Sequence, residues 1–591
     1  MEVAKPQVIK IKNNLKALEK FEGDNSVSIE LNGYPVVYIH TWKDKGMNKV
    51  YVGESNDIFR RTRQHYETGK SDKKSWQSHI NNDFSDLYVI GHEHFNKSLT
   101  LDVENRLIHY LSSVQNIDRV FNGRGNPQGS YYPVSEFDGI FSKIWRALRH
   151  YNKELFPTKS VVEDSAIFKA SPLHKLTKDQ LKAQALIIER VQEALISNEK
   201  NQLIFVEGSA GTGKTFLNSS TFYELLCNYE KIYEVSPKNK REKKIKCCLL
   251  VNHDEQLTVY KQIMDKLGIT DKYGNLVFKP TSFINNHNPK EPVDVVFVDE
   301  AHLLLTQGKM SYRGNNQLKD ILTRARVVVV MFDNKQTLTT EEYVDEKELE
   351  YYRSISKSKN NYINLTEQLR MLIDKKSMKW LDNFIDKGII GKIPKESNKY
   401  EIKVFGTPKE LENAIKQKAK SEKTKLSRLV ATYDWPYIAG KNPKYSDLWE
   451  VTIGNWHKPW NRELTKKMDR IEKKTISSLS WPEQPQTINE VGSTFTVQGF
   501  DLNYVGVIIG PSVKYRNNRI VFDPSASCNN KATQYRTMPD GSKKKFGEKF
   551  LQNELNVLMK RGVNGLYIYA CDEELRNRLF ECIKYFKNRL F

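Results

Sequence analysis

LIFVEGSAGTGKTFL, Leu203 to Leu217, opens with a short apolar run, Leu203 to Val206, that reads as a buried strand. Gly208-Ser209-Ala210-Gly211-Thr212-Gly213-Lys214-Thr215 follows at once and completes a G-x-x-x-x-G-K-[ST] pattern, with a strand before it and a helix after. Glycines let successive backbone N–H groups turn inward onto phosphate oxygens, backed by a helix N-terminus. Lys214 is placed to neutralise β- and γ-phosphates, and the Thr215 hydroxyl to hold Mg²⁺. The stretch predicts a nucleoside triphosphate site, with ATP and Mg²⁺ as the expected cofactors.

Downstream residues supply what such a loop needs. Val295 to Val298 reads as a second buried strand and ends in Asp299-Glu300-Ala301-His302. Asp299 can hold Mg²⁺ through its water shell, and Glu300 can align an attacking water. Val327 to Phe332 is a third strand, ending in Asp333-Asn334-Lys335-Gln336, where Gln336 could sense the γ-phosphate. Strands alternating with helical stretches imply a parallel sheet wrapped on both faces. Upstream, Thr177 with Gln180 three residues later forms a capping box at a helix start.

The 591 residues exceed one core, so roughly three or four domains are expected. There are 93 Lys+Arg against 72 Asp+Glu, a formal charge of +21, which is the electrostatic footprint of a polyanion partner. Six cysteines without a CxxC pair fit reduced thiols in a cytoplasmic protein. No apolar run approaches the ~18 residues of a membrane span.

At the start of the chain, residues 1 to about 30 read as an amphipathic lead-in. Pro35 to Trp42 and Lys49 to Gly53 read as a hairpin across the polar turn Lys43 to Asn48. Ser55 and Asp57 can cap a helix carrying Arg60, Arg61 and His65. Leu87 to Gly91 reads as a third strand, and Leu99 to Leu111 as a helix with Leu101, Ile108 and Leu111 on its apolar side. His40, His79, His92 and His94 read as surface or turn residues.

Val36-Val37-Tyr38, Tyr51-Val52-Gly53 and Asp57-Ile58-Phe59-Arg60-Arg61, in this order over residues 30 to 135, resemble the GIY-YIG nuclease family. Val36 stands where the family name has glycine. The resemblance implies a small α+β domain that hydrolyses phosphodiesters with a divalent cation, Mg²⁺ or Mn²⁺, on Glu104. It further implies that Tyr51, with Tyr38 nearby, deprotonates or orients the water, that Arg61 clamps the phosphate and that His65 assists. Asn122 takes the family's asparagine position, with Asn126 in the same loop as the alternative. A tyrosine base needs its ordinary pKa of ~10 lowered by neighbouring positive charge, for which Arg61 and the metal are the obvious sources.

Leu365-Thr366-Glu367-Gln368-Leu369-Arg370, Ser493 to Gly499 and Leu558-Met559-Lys560-Arg561-Gly562, together with the phosphate loop, resemble superfamily 1 helicases, most nearly the Schlafen-like group. That resemblance covers Thr177 to Asp572 and implies two RecA-like lobes. It makes Arg370 and Arg561 finger arginines, and places Gln498 and Gly499 at the nucleotide. For Gln180 it adds an adenine contact as a second reading beside the capping box. Asp501 departs from the group's glutamate, which puts a ribose contact in doubt.

The expected architecture is therefore α/β multidomain. An α+β nuclease domain (1–150) and a connector (151–175) precede two parallel-sheet lobes (176–355 and 356–591). The connector has room for one edge strand. A basic insertion near 513–549 reads as a flexible loop in contact with a nucleic-acid strand. Lys238 to Lys246 reads as a solvated loop with nucleic-acid contact as the alternative, and Trp435, Trp456 and Trp460 as core anchors or base-stacking platforms. The implied activity is an ATP-dependent helicase or translocase with an endonuclease, acting on nucleic acid, DNA ahead of RNA, in a role against foreign DNA similar to bacterial nuclease–helicase fusions. The alternatives are a nucleotide-gated clamp that does not unwind, and a helicase whose nuclease-like domain only targets DNA structures.

Overall fold

Five short runs rich in β-branched and aromatic residues build the sheet of the N-terminal part of the chain: β1 (Gln7–Lys12), β2 (Val36–Asp44), β3 (Met47–Ser55), β4 (Asp86–Gly91) and β5 (Ile117–Phe121), in the order β1-β4-β2-β3-β5. The computed structural model describes residues 4–122, 134–197, 199–228, 231–233, 242–309, 312–394, 399–538 and 540–584. The chain divides into two units. The first is Met1–Lys175 with Ser219–Glu230 and Val259–Leu276; the second is Leu176–Asn218 with Lys231–Thr258 and Val277–Phe591.

In the first unit, β2 and β3 pair antiparallel, with Tyr38 opposite Gly53 and His40 opposite Tyr51. Side chains alternate across a strand, so these four positions share one face. The other face carries Val37, Ile39, Val50 and Val52, which pack with Leu99, Val103 and Leu107 of helix α2 (Lys97–Ser112) in one core cluster. Helix α1 (Ile58–Ser71) starts at Asp57, whose carboxylate accepts from Arg60 N. The hairpin predicted from sequence is present, turning at Lys45 and Gly46.

Two expectations for this unit are corrected. The first thirty residues are no mere lead-in: β1 pairs with β4, and Leu18 and Phe21 of the helix Leu15–Glu22 are buried in the same cluster as Tyr38. Residues 151–175 are no loose connector either, and they carry two short helices, Lys159–Asp164 and Ala166–Ala170, rather than an edge strand. Phe168 stacks on His109 of α2 at 4.0 Å, and the Tyr110 hydroxyl donates to Glu163. Apolar side chains in that segment find a surface on α2, which no local pattern announces.

The second unit contains two parallel sheets. The first runs β8-β7-β9-β10-β6-β11, formed by β6 (Gln202–Gly208), β7 (Cys247–Leu250), β8 (Val277–Phe278), β9 (Val293–Val298), β10 (Ala325–Phe332) and β11 (Tyr362–Leu365). Every residue of β9 and β10 is buried, as expected for strands covered on both faces. Helix α3 (Lys178–Ile196) precedes β6, and α4 (Lys214–Asn228) follows it. The second sheet runs β12-β16-β15-β13-β14, from β12 (Glu401–Val404), β13 (Arg428–Ala431), β14 (Val491–Gly492), β15 (Leu502–Ile509) and β16 (Gly562–Ala570). Helix α5 (Gly547–Met559) leads into β16.

Here too the sequence reading needs adjustment. β11 pairs with β6, so the first sheet extends past residue 355, and Arg370 comes shortly after its edge strand. The 513–549 segment is not an unstructured loop. It forms a hairpin, Val513–Arg516 with Arg519–Phe522, then a short helix, Asn530–Thr533, and a second small pairing, Arg536–Thr537 with Lys543–Lys544. The basic run from Lys238 to Arg241 and the alternative asparagine Asn126 lie outside the described residues. All six cysteines are free thiols. No helix among the described residues is long and apolar enough to cross a membrane.

Trp460 is fully buried in the cluster containing Val451, Val491 and Ile508, so it anchors a core and stacks on no base. Trp435 and Trp456 are half-buried, their indole N–H groups donating to Thr452 O and Glu412 Oε2 at 3.0 Å each. Trp460→Ala is expected to destabilise the second unit by about 3–5 kcal/mol, read as an earlier denaturant-induced unfolding transition than wild type; Trp435→Ala leaves that transition nearly in place.

Candidate functional site

The phosphate loop is shaped by what its carbonyl groups bond to. Lys214 Nζ donates to Gly208 O at 2.7 Å and Ser209 O at 3.1 Å. Gln368 Nε2 donates to Ala210 O at 2.9 Å, and Leu369 N to Gly211 O at 2.8 Å. Gln180 Nε2 donates to Thr212 O at 3.4 Å and Gly213 O at 3.3 Å. Each carbonyl from Gly208 to Gly213 is engaged, and of the N–H groups Thr212 N donates to Ser209 O at 3.3 Å; a loop with its carbonyl groups turned away presents its other N–H groups to an anion. Gly211 and Gly213 sit at φ +90° and +76°, in the left-handed region that favours glycine. A Cβ on either would collide with the Gln368 or the Gln180 amide.

Both roles considered for Gln180 bear on this geometry. The capping box with Thr177 is formed, and the same side chain braces the loop and lines an open cavity of about 250 Å³ with Thr177, Ala183, Tyr362 and Thr366. Sequence reasoning missed Gln368 as a loop contact, although it falls inside the LTEQLR stretch.

The carboxylates lie at the C-terminal ends of β9 and β10. Asp299 is buried and accepts from Glu300 N through Oδ1 at 3.1 Å. Glu300 takes a left-handed backbone, φ +49°, a local strain of the kind that collects at functional sites. Its buried Oε2 has no hydrogen-bond partner among the described residues, and His302 Nε2 lies 3.3 Å away. Burial pushes His302 below the usual histidine range. Asp333, given no role from sequence, lies 3.6 Å from Lys214 Nζ. Burial alone would raise its carboxyl, but Lys214, His302 and the Gln336 amide together hold it below the ordinary range. Thr215 stands half-buried in the first turn of α4. Its hydroxyl and these acidic oxygens are hard donors suited to Mg²⁺. Among the described residues no group of three or more His, Cys, Asp or Glu is arranged to hold a metal by itself, so a cation here would keep phosphate and water ligands.

A chain of contacts links the two sheets. Gln336 Nε2 donates to Asp333 Oδ2 at 2.8 Å, and Arg561 Nη2 donates to Gln336 Oε1 at 2.8 Å. Gln498 Nε2, next to Gly499, donates to Gln336 O at 3.2 Å. Arg561 is fully buried, and burial brings its pKa down to about 10. Arg370 Nε lies 2.6 Å from Asp501, so the residue that departs from the helicase pattern serves as that arginine's counter-ion. Arg370 Nη1 and Arg561 Nε are buried without a hydrogen-bond partner among the described residues, donors with capacity for a further anion.

In the first unit, Tyr38, Tyr51, Arg61, His65, Glu104 and Asn122 come together. The Tyr38 hydroxyl is 3.0 Å from His65 Nε2, and Arg61 lies close enough to interact electrostatically with both phenols. Gly53 is glycine because a Cβ there would lie 2.6 Å from the Tyr38 ring and 2.9 Å from the Tyr51 ring. Asn122, in a left-handed conformation at φ +73°, donates through Nδ2 to Glu104 Oε1 at 2.7 Å and to Val52 O at 2.9 Å. The buried Glu104 carboxylate offers hard oxygens of the kind a divalent cation takes, with water completing the shell.

Burial raises the phenols of Tyr38 and Tyr51, and Arg61 alone does not overcome it. Burial also holds His65 down, at about 4. Sequence reading also missed two residues. His40, read as a surface histidine, is fully buried between Tyr38, Tyr51 and His65; its position two residues beyond Tyr38 on a strand was the available signal. Trp76 stacks on Tyr51 at 4.0 Å from the short 3₁₀ turn Trp76–His79, with no local signal.

Residues 201–572 match the model of the family described as Schlafen group 3, DNA/RNA helicase domain. The uncharacterized protein YPL245W of Saccharomyces cerevisiae is 31% identical over 468 residues, covering 74% of this chain and 97% of that protein. Solved structures give fainter likenesses. One, of two coordinating Pif1 helicases at forked double-stranded DNA, has a TM-score of 0.18 and 14% identity over 42% of this chain and 58% of that one. Another, of the DUF1998 helicase MrfA bound to DNA, has a TM-score of 0.27 and 10% identity over 73% and 51%. Likeness at that level carries no argument here.

Gly211→Ala and Gly213→Ala should each weaken binding of a fluorescent ATP analogue by about tenfold or more, from backbone strain of ~1–3 kcal/mol and the displaced amide. The titration is run beside a melting curve, which separates lost nucleotide binding from the loss of stability that the same strain causes.

Proposed function

The chain belongs to the Schlafen group 3 DNA/RNA helicase domain family, and from that premise we propose that it is an ATP-driven nucleic-acid helicase or translocase whose N-terminal unit is a metal-dependent, GIY-YIG-type endonuclease. The observation that carries the first half is the run Lys214–Asp333–Gln336–Arg561, which ties the phosphate loop of one sheet to an arginine of the other. Lys214 neutralises the β- and γ-phosphates, Glu300 aligns the attacking water, and Arg370 and Arg561 offer their unpartnered N–H groups to the charge that develops on the transferred group. Mg²⁺ on Thr215 and Asp299 would screen the remaining phosphate charge. Loss of the γ-phosphate removes the ligand that both sheets share, the differential interaction that a motor or switch requires.

For the nuclease, support comes from the residues of the first unit. Tyr51, with Tyr38 beside it, orients the attacking water or takes its proton, the positive charge of Arg61 and of a cation on Glu104 favouring the phenolate. Arg61 meets the scissile phosphate, and neutral His65 holds Tyr38 in place. Glu104, braced by Asn122, would carry Mg²⁺ or Mn²⁺ to neutralise charge developing on the phosphate. The +21 charge supports a nucleic-acid track, with DNA the first polymer to test.

The test uses labelled single-stranded, duplex and forked DNA and RNA, each with and without ATP and Mg²⁺. Glu104→Ala should abolish cleavage and leave nucleic-acid-stimulated ATP hydrolysis largely intact, whereas Lys214→Ala and Arg561→Ala should do the reverse to hydrolysis and change the duplex cleavage pattern. Persistent cleavage by Glu104→Ala would discard the metal ligand. Binding should weaken with salt by about 0.7–0.9 log units per log unit of salt for each phosphate neutralised; a flat response would discard the polyanion track.

A further inference from the structure

The first-lobe segment from Asn334 to Tyr343 leaves β10 directly after Asp333 and carries Gln336. Beyond one 3₁₀ turn, Asn334–Gln336, it has no regular structure, so its position depends on what grips it. Helix α5 supplies one grip: Asn553 Nδ2 donates to Thr337 O at 2.7 Å and Asn556 Nδ2 to Lys335 O at 3.2 Å. The insertion ahead of α5 supplies the other. Lys531 O accepts from Thr340 N at 3.0 Å and from Thr340 Oγ1 at 3.1 Å, while Gln534 Nε2 donates to Thr340 Oγ1 at 2.8 Å. The Arg536 guanidinium donates to Thr340 O and to Thr306 O and lies 5.4 Å over the Tyr343 ring. Phe546 stacks on that ring at 4.1 Å, and Tyr343, Ala532, Met538 and Phe550 form a small buried cluster.

We propose that the insertion is a strap between the lobes, and that Arg536 is a positioning residue which sets Gln336 and Arg561 for hydrolysis. The inference rests on reading the cleft as an ATPase site. A buried guanidinium is costly unless its donors are used; this one is withdrawn from water with its two terminal nitrogens on carbonyl groups of the other lobe and its Nε without a hydrogen-bond partner among the described residues. Both ends of the Arg561–Gln336 bond lead back to the strap: Gln336 through the segment to Tyr343, and Arg561 through α5, which runs from Gly547 to Met559 just before it. The lysines of the same insertion, Lys543 to Lys545, remain exposed. The loop's carbonyl bonds and the cavity beside Gln180 involve no residue of the strap. Loosening it therefore disturbs the γ-phosphate side while nucleotide affinity persists.

The test compares wild type, Lys214→Ala, Arg536→Ala, Arg536→Lys and Thr340→Val in steady-state ATP hydrolysis, fluorescent ATP-analogue titration and thermal unfolding. Arg536→Ala is expected to lower kcat about tenfold or more, as misplacement of a reacting group does, with analogue affinity within about twofold of wild type. Arg536→Lys, able to reach one carbonyl, should recover part of kcat. Thr340→Val breaks the Lys531 and Gln534 side-chain bonds without removing bulk; it should shift kcat in the same direction, and it decides the matter if Arg536→Ala does not fold. An unchanged kcat in the folded variants, or equal loss of kcat and affinity, would overturn the strap alone. If wild type and Lys214→Ala hydrolyse ATP at the same rate, the reading of the cleft falls first.

Discussion

Outward bonding of the phosphate loop's carbonyl groups is the constraint on which the second unit depends. Lys214, Gln368, Leu369 and Gln180 together hold the backbone from Gly208 to Gly213 with its C=O groups engaged. Those contacts come from α3, from the start of α4 and from the stretch after β11, three parts of the chain that meet only because β6 lies between β10 and β11. An anion site made this way owes little to any single side chain. It needs positive φ at two glycines and a sheet order that brings the bracing elements together.

The second constraint is the burial of charge between the two sheets. Asp333, Lys214, Arg561 and Glu300 are each nearly or fully buried, and ions so placed are tolerable only when paired or hydrogen-bonded. Gln336 is the neutral element that connects an acid from one sheet with an arginine from the other. Such a network favours one arrangement of the two sheets while charges balance. It is open to change when a triphosphate adds or loses negative charge.

In the first unit the same economy appears on a hairpin. Period-two alternation sends Val37, Ile39, Val50 and Val52 into the core against α2 and presents Tyr38, His40 and Tyr51 on the opposite face. Gly53 leaves room for both tyrosine rings, and Asn122 ties Glu104 to the backbone of β3. The burial that assembles this face is also what raises its phenols, so packing and acid–base character have one cause.

From the sequence alone came the phosphate loop, the strands that end in Asp299 and Asp333, the hairpin with its two tyrosines, and the basic excess. These are local patterns: glycine spacing, apolar runs and alternation need no knowledge of distant residues. Only the tertiary structure decided that β11 joins the first sheet, that residues 151–175 pack on α2, that Asp333 faces Lys214, and that Asp501 pairs with Arg370. It also decided that the basic insertion is bound to Thr340 and Tyr343, and that His40 and Trp460 are interior. Each of these depends on contacts between residues far apart in the chain, whose partners are chosen by sheet order and by burial. Except for His40, whose spacing from Tyr38 on β2 was a local signal, neither leaves a trace in the spacing of neighbouring residues.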